Sequence, residues 1–404
     1  MISDKEKLQI ISHLFDSENY IIPALIEEDW NDLFKFAQKQ GISCYLYYSL
    51  KQKRSENLIP EDWQRKVNLQ LMHYSAGNIK HLQELEEISL TFENAQIPVI
   101  FLKGSQLAFH VYPSPSLRPM GDIDLFVREE NVQKAIDTLL ASGYRSNYFT
   151  LENLKKHTRH LPPFTRKGKK SIELHWTLIQ PHFHTSGTEQ TLNWLINATE
   201  EKQFGKGRAL VFKPNAIVFQ LMLHIGLNDG LRSSLKNLTD LTVLIQRFQQ
   251  EIEWEVITNR ILETSFARPY ALVGWLANNM VGANIPYKFF QAMNVEISEE
   301  IKAAALSRIL HFSDVGLIGP LPTLIPANLT QKLVIVMKYI FMSLSKMKFR
   351  HNLKNNWEVF TYYPRRVFEF TRKYKSNVLK TFNPDEELLD KSQKEIQLRE
   401  WLER

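Results

Sequence analysis

The chain has 404 residues, of which 44% are hydrophobic and 23% are charged, a composition that excludes a fibrous or wholly disordered protein. At roughly 150 residues per domain, this length predicts two or three domains rather than one small module. The single cysteine, Cys44, excludes an intrachain disulfide framework and a Cys-rich zinc site.

The N-terminal segment lacks the pattern of a signal peptide. Acidic residues between Asp4 and Glu18 interrupt its short apolar stretches, whereas a signal peptide needs an unbroken apolar run behind a basic head. The most apolar late segment, residues 333–344, contains Lys338 and is shorter than the roughly 20 residues that span a bilayer. We therefore expect a soluble, cytoplasmic protein without a membrane span.

The first 96 residues are predicted to form helices, because apolar side chains such as Leu33, Phe36 and Ala37 recur at helical spacing. From Ile97 onward the pattern changes to short strands that alternate with helices. After this stretch the helical pattern returns. The predicted strands are residues 98–102, 123–127 and 171–176, and a helix is predicted over residues 129–141.

These changes of pattern predict four regions. They are an N-terminal helical region (1–96), a central core (97–213), a helical domain (214–325) and a basic amphipathic helical tail (326–404).

The tail is the most basic part of the chain. Residues 338–380 hold eleven Lys or Arg against Glu358 and Glu369, a local balance of +9 that exceeds the whole-chain charge of +6. Such a segment could contact nucleic acid or another anionic surface. Its many aromatic residues favour a different interpretation, in which amphipathic helices cover a core and the basic residues face solvent.

Two aspartates stand at alternate positions of a predicted strand. Successive side chains of a strand point to opposite faces, so Asp122 and Asp124 are expected to project together while Ile123 and Leu125 enter the apolar side. Two carboxylates held side by side repel each other, and a divalent cation offsets that repulsion. Mg²⁺ suits such oxygen ligands.

Gly104 and Ser105 follow an apolar strand and precede a helical pattern. Glycine permits close approach of a ligand to the backbone, and a helix N-terminus attracts anions. A triphosphate is therefore expected here. A third acid, Glu173, shares a strand face with His175, and could complete a metal site or act as a general base.

Each of these elements has an ordinary explanation when it stands alone. An isolated pair of aspartates also occurs on exposed strand edges and in metal-dependent glycosyltransferases. A Gly-Ser pair before a helix is usually an N-cap, and Glu173 alone would be a surface acid. It is the ordered combination of all three that favours a catalytic site.

Other motifs are not supported. His157, His160, His182 and His184 show no regular spacing with a third ligand, so a zinc site is not predicted. Neither a P-loop pattern nor a dinucleotide-binding glycine pattern occurs in the chain.

The three elements together resemble the polymerase β-like nucleotidyltransferase superfamily, which is marked by a Gly-Ser pair before a helix, an aspartate pair on a strand and a third carboxylate on a later strand. Residues 102–105, 117–127 and 172–176 look more closely like a bacterial branch described as uncharacterised nucleotidyltransferases. The resemblance covers about residues 25–250. The flanking segments that share it are residues 37–43, 223–226 and 237–241.

The resemblance implies an α+β fold, in which a small mixed β-sheet core is flanked by largely helical N- and C-terminal regions. It further implies that Gly104 and Ser105 bind nucleotide phosphates. Asp122, Asp124 and Glu173 would bind two Mg²⁺ ions, for which Mn²⁺ could substitute. The chain departs from the pattern of the superfamily at Glu173, because the third carboxylate is more commonly an aspartate.

Five further residues are candidates around this site. Lys103 and Arg118 could contact phosphates, although Arg118 could instead pin the proline-rich loop beside it. His175 could position the acceptor or the acid, or serve a structural role. His224 and Asp240 lie on apolar helical stripes and could be either core hydrogen-bonding groups or nucleotide-pocket residues.

The spacing between the motifs adds one further expectation. Seventeen positions separate Ser105 from Asp122, which is long for the superfamily, so the loop over residues 112–120 must fold away from the metals.

The sequence thus predicts an Mg²⁺-dependent enzyme that transfers a nucleoside monophosphate from an NTP to a hydroxyl or phosphate acceptor and releases pyrophosphate. A small molecule, saccharide or peptide acceptor is favoured over nucleic acid. Two alternatives stay open. One is a non-catalytic protein that binds a nucleotide or a partner on the same fold, and the other is a glycosyltransferase that uses its aspartate pair on a sugar nucleotide.

Overall fold

The computed structural model describes residues 2–16, 22–146, 158–183, 186–232, 234–311, 321–342, 344, 347–348, 353, 355–380 and 384–403. The chain divides into two compact units. The first comprises Met1–Ser146 with Thr158–Glu296, and the second comprises Asn147–His157 with Ile297–Arg404. The region boundaries predicted at residues 96 and 213 therefore fall within the first unit.

The first unit is rich in helices, and the longest of them, α4, runs for 34 residues. A helix of that length spans about 50 Å. The helices of this unit are α1 (Asp4–Asp16), α2 (Glu27–Lys39), α3 (Ser43–Gln52), α4 (Glu61–Asn94), α5 (Lys103–His110), α6 (Val132–Ala141), α7 (Ser186–Asn197), α8 (Pro214–Leu223), α9 (Leu235–Arg247), α10 (Trp254–Leu262), α11 (Ala267–Val281) and α12 (Tyr287–Met293).

A five-stranded mixed sheet lies in the same unit, with strand order β3-β2-β1-β5-β4. The pairs β2–β3 and β1–β5 are parallel, whereas β1–β2 and β4–β5 are antiparallel. The predicted α+β class with a small mixed sheet is therefore confirmed. The strands are β1 (Ile100–Phe101), β2 (Ile123–Phe126), β3 (Ile172–His175), β4 (Thr199–Phe204) and β5 (Gly207–Phe212).

The β4–β5 hairpin was not predicted from the sequence. Its strands are joined by the two-residue turn Gly205–Lys206, where Gly205 adopts a φ of 62° that glycine tolerates best. Gly207 follows the turn, and a Cβ atom there would lie 1.9 Å from Ser89 Oγ on α4. The hairpin thus packs against α4 at a distance that only glycine permits.

Strand β2 is buried along its whole length, although one of its four residues is charged. Ile123, Leu125 and Phe126 supply the apolar contacts, and Asp124 is the polar exception. The backbone N–H of Leu102 donates to the carbonyl of Asp124 at 3.0 Å, so the residue before α5 is held beside β2. The start of α5 and the buried aspartate are thereby brought together.

The second unit contains the predicted amphipathic helices of the tail. Trp357, Phe360 and Phe368 remain 81%, 58% and 65% exposed, so the expectation that the aromatic residues cover a core is wrong for these three. No helix among the described residues combines the length and the apolarity needed to cross a bilayer. The helices are α13 (Glu299–Leu310), α14 (Leu321–Leu324), α15 (Leu329–Ile340), α16 (Asn356–Lys380) and α17 (Glu386–Glu403).

Candidate functional site

The carboxylates of the candidate site stand on two adjacent parallel strands. Asp124 on β2 is paired in register with Glu173 on β3, which brings the two acids side by side. Asp124 is buried, while Glu173 is partly exposed. Asp122 precedes β2 and is exposed, so the two aspartates differ in their environment even though two positions separate them.

His175 joins these two acids. Its Nε2 atom lies 2.9 Å from Asp124 Oδ1 and 3.7 Å from Glu173 Oε2. The ligand atoms of Asp124, Glu173 and His175 all lie within 4.8 Å of one another, so this group could hold a metal ion. Burial lowers the pKa of His175 to about 3, which keeps the imidazole neutral, and its Nε2–H donates to the Asp124 carboxylate.

Lys103 also contacts the buried aspartate, with its Nζ atom 2.6 Å from Asp124 Oδ1. Burial alone would raise the pKa of Asp124, but the charge of Lys103 and the hydrogen bond from His175 hold it well below its usual range. Asp124 is therefore an anion in the folded protein.

Gly104 and Ser105 lie in the first turn of α5, as predicted. A Cβ atom on Gly104 would lie 2.9 Å from Arg118 Nη1, so glycine is what allows the guanidinium group to approach. The Oγ atom of Ser105 is buried and has no hydrogen-bond partner within the described part of the chain. Most buried hydroxyls have a hydrogen-bond partner, so the Oγ atom of Ser105 is available to a ligand.

Arg118 is bound to Asp240 on α9 by two hydrogen bonds of 2.8 Å, from Nε and Nη2. Tyr112 donates its hydroxyl to the same carboxylate at 2.8 Å. This two-point contact favours the structural alternative, in which Arg118 pins its loop. A contact of Arg118 with phosphate stays a prediction, and Asp240 is here a buried hydrogen-bonding group.

The loop over residues 112–120 is anchored a second time, by α4. Asn78 donates from Nδ2 to the carbonyls of Pro115 and Arg118, at 2.6 and 3.1 Å. The short 3-10 turn Pro115–Leu117 thus packs against α4. These contacts fix the loop against α4, and the expectation that it folds away from the candidate metal ligands stays a prediction.

The π-helix His224–Asn228 begins with His224, a candidate from the sequence, and is followed by Asp229, which the sequence analysis did not single out. His224 Nε2 lies 3.2 Å from Asp229 Oδ2, and Arg159 Nη2 lies 3.8 Å from Asp229 Oδ1. Burial raises the pKa of Asp229 to about 6, and the charges of Asp124 and Glu173 contribute to this shift. Asp229 is therefore close enough to Asp124 and Glu173 for their charges to affect its pKa.

Arg159, His160, Asp229 and Lys236 were missed as site residues by the sequence analysis. Lys236 is a half-buried residue whose pKa is lowered by burial and by the charge of Arg118. No partner for its amine occurs among the residues that the structure describes. None of the four belongs to a recognisable motif, and only the π-helix, a feature frequent at functional sites, would have directed attention to Asp229.

The four histidines for which the sequence predicts no zinc site are described only in part. His160 forms an isolated β-bridge with His175, and the two ring centroids are 5.1 Å apart. His157 and His184 lie outside the described residues, as does the side chain of His182.

The fold and the site together define a class of protein. A small mixed sheet carries two acids on adjacent parallel strands, and a Gly-Ser helix start lies beside them. These are the features of the nucleotidyltransferase class that the sequence resembles.

The family comparison agrees with this class. The model of a family described as uncharacterised nucleotidyltransferase matches residues 27–282, a range that begins with α2 and includes α11. The chain belongs to this family and is a nucleotidyltransferase. A comparison with curated proteins found no match, and neither did a comparison with solved structures.

Proposed function

We propose that this protein transfers a nucleoside monophosphate from an NTP to a hydroxyl or phosphate acceptor and releases pyrophosphate, in a reaction that depends on a divalent cation. The observation that carries this proposal is the in-register pairing of Asp124 with Glu173, beside the first turn of α5. A catalytic acid pair next to an anion-binding helix start is what transfer of a nucleotidyl group requires.

The donor set fits a divalent cation. Asp124 and Glu173 supply carboxylate oxygens, His175 supplies a nitrogen, and the exposed Asp122, just before β2, offers a further carboxylate. Two Mg²⁺ ions are the cofactor that the family resemblance implies, with Mn²⁺ as a substitute. When bound, such cations neutralise phosphate charge and activate the attacking oxygen.

The start of α5 is the proposed triphosphate site. In its first turn, the backbone N–H of Gly104 and the hydroxyl of Ser105 would bind phosphate oxygens, whereas the backbone N–H of Ser105 already donates to the carbonyl of Leu102 at 3.2 Å. Lys103, on the same turn, and Lys236, whose amine has no partner among described residues, would add positive charge. Arg118 would donate to phosphate from Nη1, because its Nε and Nη2 atoms already donate to Asp240.

Glu173 is the proposed base for the acceptor hydroxyl, through the carboxylate oxygen that the cation would leave free. It is more exposed than Asp124, and burial together with the nearby acids raises its pKa. A carboxylate with a raised pKa accepts a proton more readily than an ordinary surface glutamate does. The proposed acceptor is a small molecule, a saccharide or a peptide, which is the acceptor class that the resemblance to the bacterial branch favours.

The test is transfer of label from each of four α-³²P-labelled NTPs to acceptors in a cell extract, with Mg²⁺ or Mn²⁺ present. Label should appear on an acceptor with the unmutated protein and be lost with Asp124→Asn. Asp62→Asn is the matched control, because Asp62 is an exposed residue of α4 that pairs only with Arg65 among the described contacts. NTP binding without transfer to any acceptor would instead favour the binding-protein alternative.

A further inference from the structure

The position of His175 between the two acids has a consequence for the identity of the metal. His175 is 2% exposed, and Nε2 is the atom that approaches both carboxylates, at 2.9 Å from Asp124 and 3.7 Å from Glu173. It stands two residues after Glu173 on β3, so both side chains share one face of the sheet.

Without a cation, the shorter separation is a hydrogen bond from His175 Nε2–H to Asp124, and a cation bound at Nε2 would replace that hydrogen while the neutral ring carries its proton on Nδ1. The two separations are also compatible with atoms that share one cation. Metal–ligand distances of about 2.1 Å place neighbouring ligand atoms about 3.0 Å apart in an octahedral site and about 3.4 Å apart in a tetrahedral one. The two separations at His175 lie near these values. Asp122 does not belong to this compact group within the described residues, since the group consists of Asp124, Glu173 and His175.

We propose that His175 is a direct ligand of the catalytic cation and that this cation position prefers Mn²⁺ to Mg²⁺. Mg²⁺ favours oxygen ligands and near-ideal octahedral geometry, whereas a neutral imidazole nitrogen suits transition metals, which bind nitrogen more strongly. This inference rests on the proposed function, because it concerns the cation that the transfer reaction would use.

His160 offers a matched comparison. Its ring packs against that of His175 with centroids 5.1 Å apart, and its Nδ1 atom lies 3.0 Å from the carbonyl of Leu161. His160 nevertheless lies outside the three-residue group. Its substitution changes the packing and the local charge around His175 but removes no ligand atom.

The experiment measures Mn²⁺ binding to the full chain without nucleotide. Electron paramagnetic resonance follows the signal of free Mn²⁺ and gives the affinity, and Mg²⁺ is added as the competitor. Electron spin-echo modulation then detects the ¹⁴N coupling of an imidazole bonded to Mn²⁺. The variants are His175→Gln, His160→Gln and Asp124→Asn.

The expected result is a ¹⁴N coupling in the wild type and in His160→Gln, and its loss in His175→Gln. Mn²⁺ should bind at least about tenfold more tightly than Mg²⁺, and His175→Gln should lose about tenfold in Mn²⁺ affinity. His160→Gln should stay within about threefold of the wild type, since it keeps every ligand.

Two results would overturn the proposal in different ways. Mn²⁺ binding that needs Asp124 but shows no ¹⁴N coupling in the wild type would exclude His175 as a ligand and leave the proposed function standing. Absence of Mn²⁺ and Mg²⁺ binding, with and without an NTP analogue, would contradict both proposals. The wild-type spectrum decides the question even if His175→Gln does not fold.

Discussion

Lys103 and Asp124 form an ion pair of 2.6 Å that joins the first residue of α5 to the middle of β2. Both side chains are largely buried, at 16% and 7% exposure. Lys103 has a φ of 44°, in the left-handed region that non-glycine residues rarely adopt. Such a conformation costs about 1–3 kcal/mol, so the surrounding contacts must hold Lys103 in place.

Removal of the Lys103 charge should change metal and nucleotide binding in opposite directions. In Lys103→Met the ammonium group no longer competes for Asp124, so affinity for a divalent cation should rise severalfold. Affinity for NTP should fall by about tenfold or more, because a phosphate contact is lost. Calorimetric titration with each ligand measures both changes, and a fall in both affinities would contradict the role assigned to Lys103.

The buried contact between Arg118 and Asp240 should be a major stabiliser of the loop over residues 112–120. Arg118→Met leaves the buried carboxylate of Asp240 without its charged partner and with only the hydrogen bond from Tyr112 among the described contacts, and loss of a buried ion-pair partner typically costs about 3–5 kcal/mol. The double variant Arg118→Met/Asp240→Leu should recover much of that loss, because it removes both charges. Urea unfolding provides the free energies, and equal losses in the single and double variants would count against the pairing.

Replacing glycine with alanine should have opposite effects on stability at Gly207, which packs against α4, and at Gly77, which lies within α4. Gly207→Ala places a Cβ 1.9 Å from Ser89 Oγ and 3.1 Å from the Glu86 carbonyl, and should destabilise the protein by about 1–3 kcal/mol. Gly77 lies within α4 and has no atom within 4 Å of the added Cβ, so Gly77→Ala should stabilise the protein by about 1 kcal/mol. Thermal unfolding compares them, and a neutral Gly207→Ala would show that the hairpin is not packed closely on α4.

His81 should make stability depend on pH under mildly acidic conditions. Its side chain is buried in α4 and has no hydrogen-bond partner among described residues. Burial, with contributions from the charges of Lys170 and Arg118, lowers its pKa from 6.5 to about 4. Between these two values the unfolded chain binds the proton more tightly than the folded protein does, so unfolding free energy should fall as pH drops from 6.5 to 4.

Below pH 4, protonation of His81 should lower the free energy of unfolding by about 3 kcal/mol. Above pH 6.5 His81 is neutral in both states and has no such effect on the free energy of unfolding. The check is urea unfolding at a series of pH values for the wild type and for His81→Leu. The difference in stability between the two proteins should change over this window. A difference that stays constant from pH 4 to 7 would show that His81 does not titrate in this way.

The parts of the site that could be predicted from the sequence are those encoded within single short segments. The strand around Asp124, the strand around Glu173 and the helix start at Ser105 each have a local pattern of alternation or capping. Strand β1 is only Ile100–Phe101, shorter than the predicted residues 98–102, although Val99 and Leu102 each form one backbone hydrogen bond with a neighbouring strand.

The remaining parts depend on contacts between distant segments. The pairing of Arg118 with Asp240 joins residues 122 positions apart, and no local pattern indicates it. Asp229 reaches the site through a π-helix, which periodicity does not reveal.

The β4–β5 hairpin, in contrast, was missed although it has a local signal. Gly205 lies in the turn between its two strands and Gly207 begins the second strand.

The measurement that tests the central claim most directly is the rate of nucleoside monophosphate transfer from α-labelled NTP in a double-mutant cycle of Asp124→Asn and Glu173→Gln. If the two acids form one catalytic centre, each single variant should lose at least about 10³-fold in rate, and the double variant should lose little more than either. Retention of near wild-type transfer by either single variant, with native-like unfolding profiles, would contradict the account.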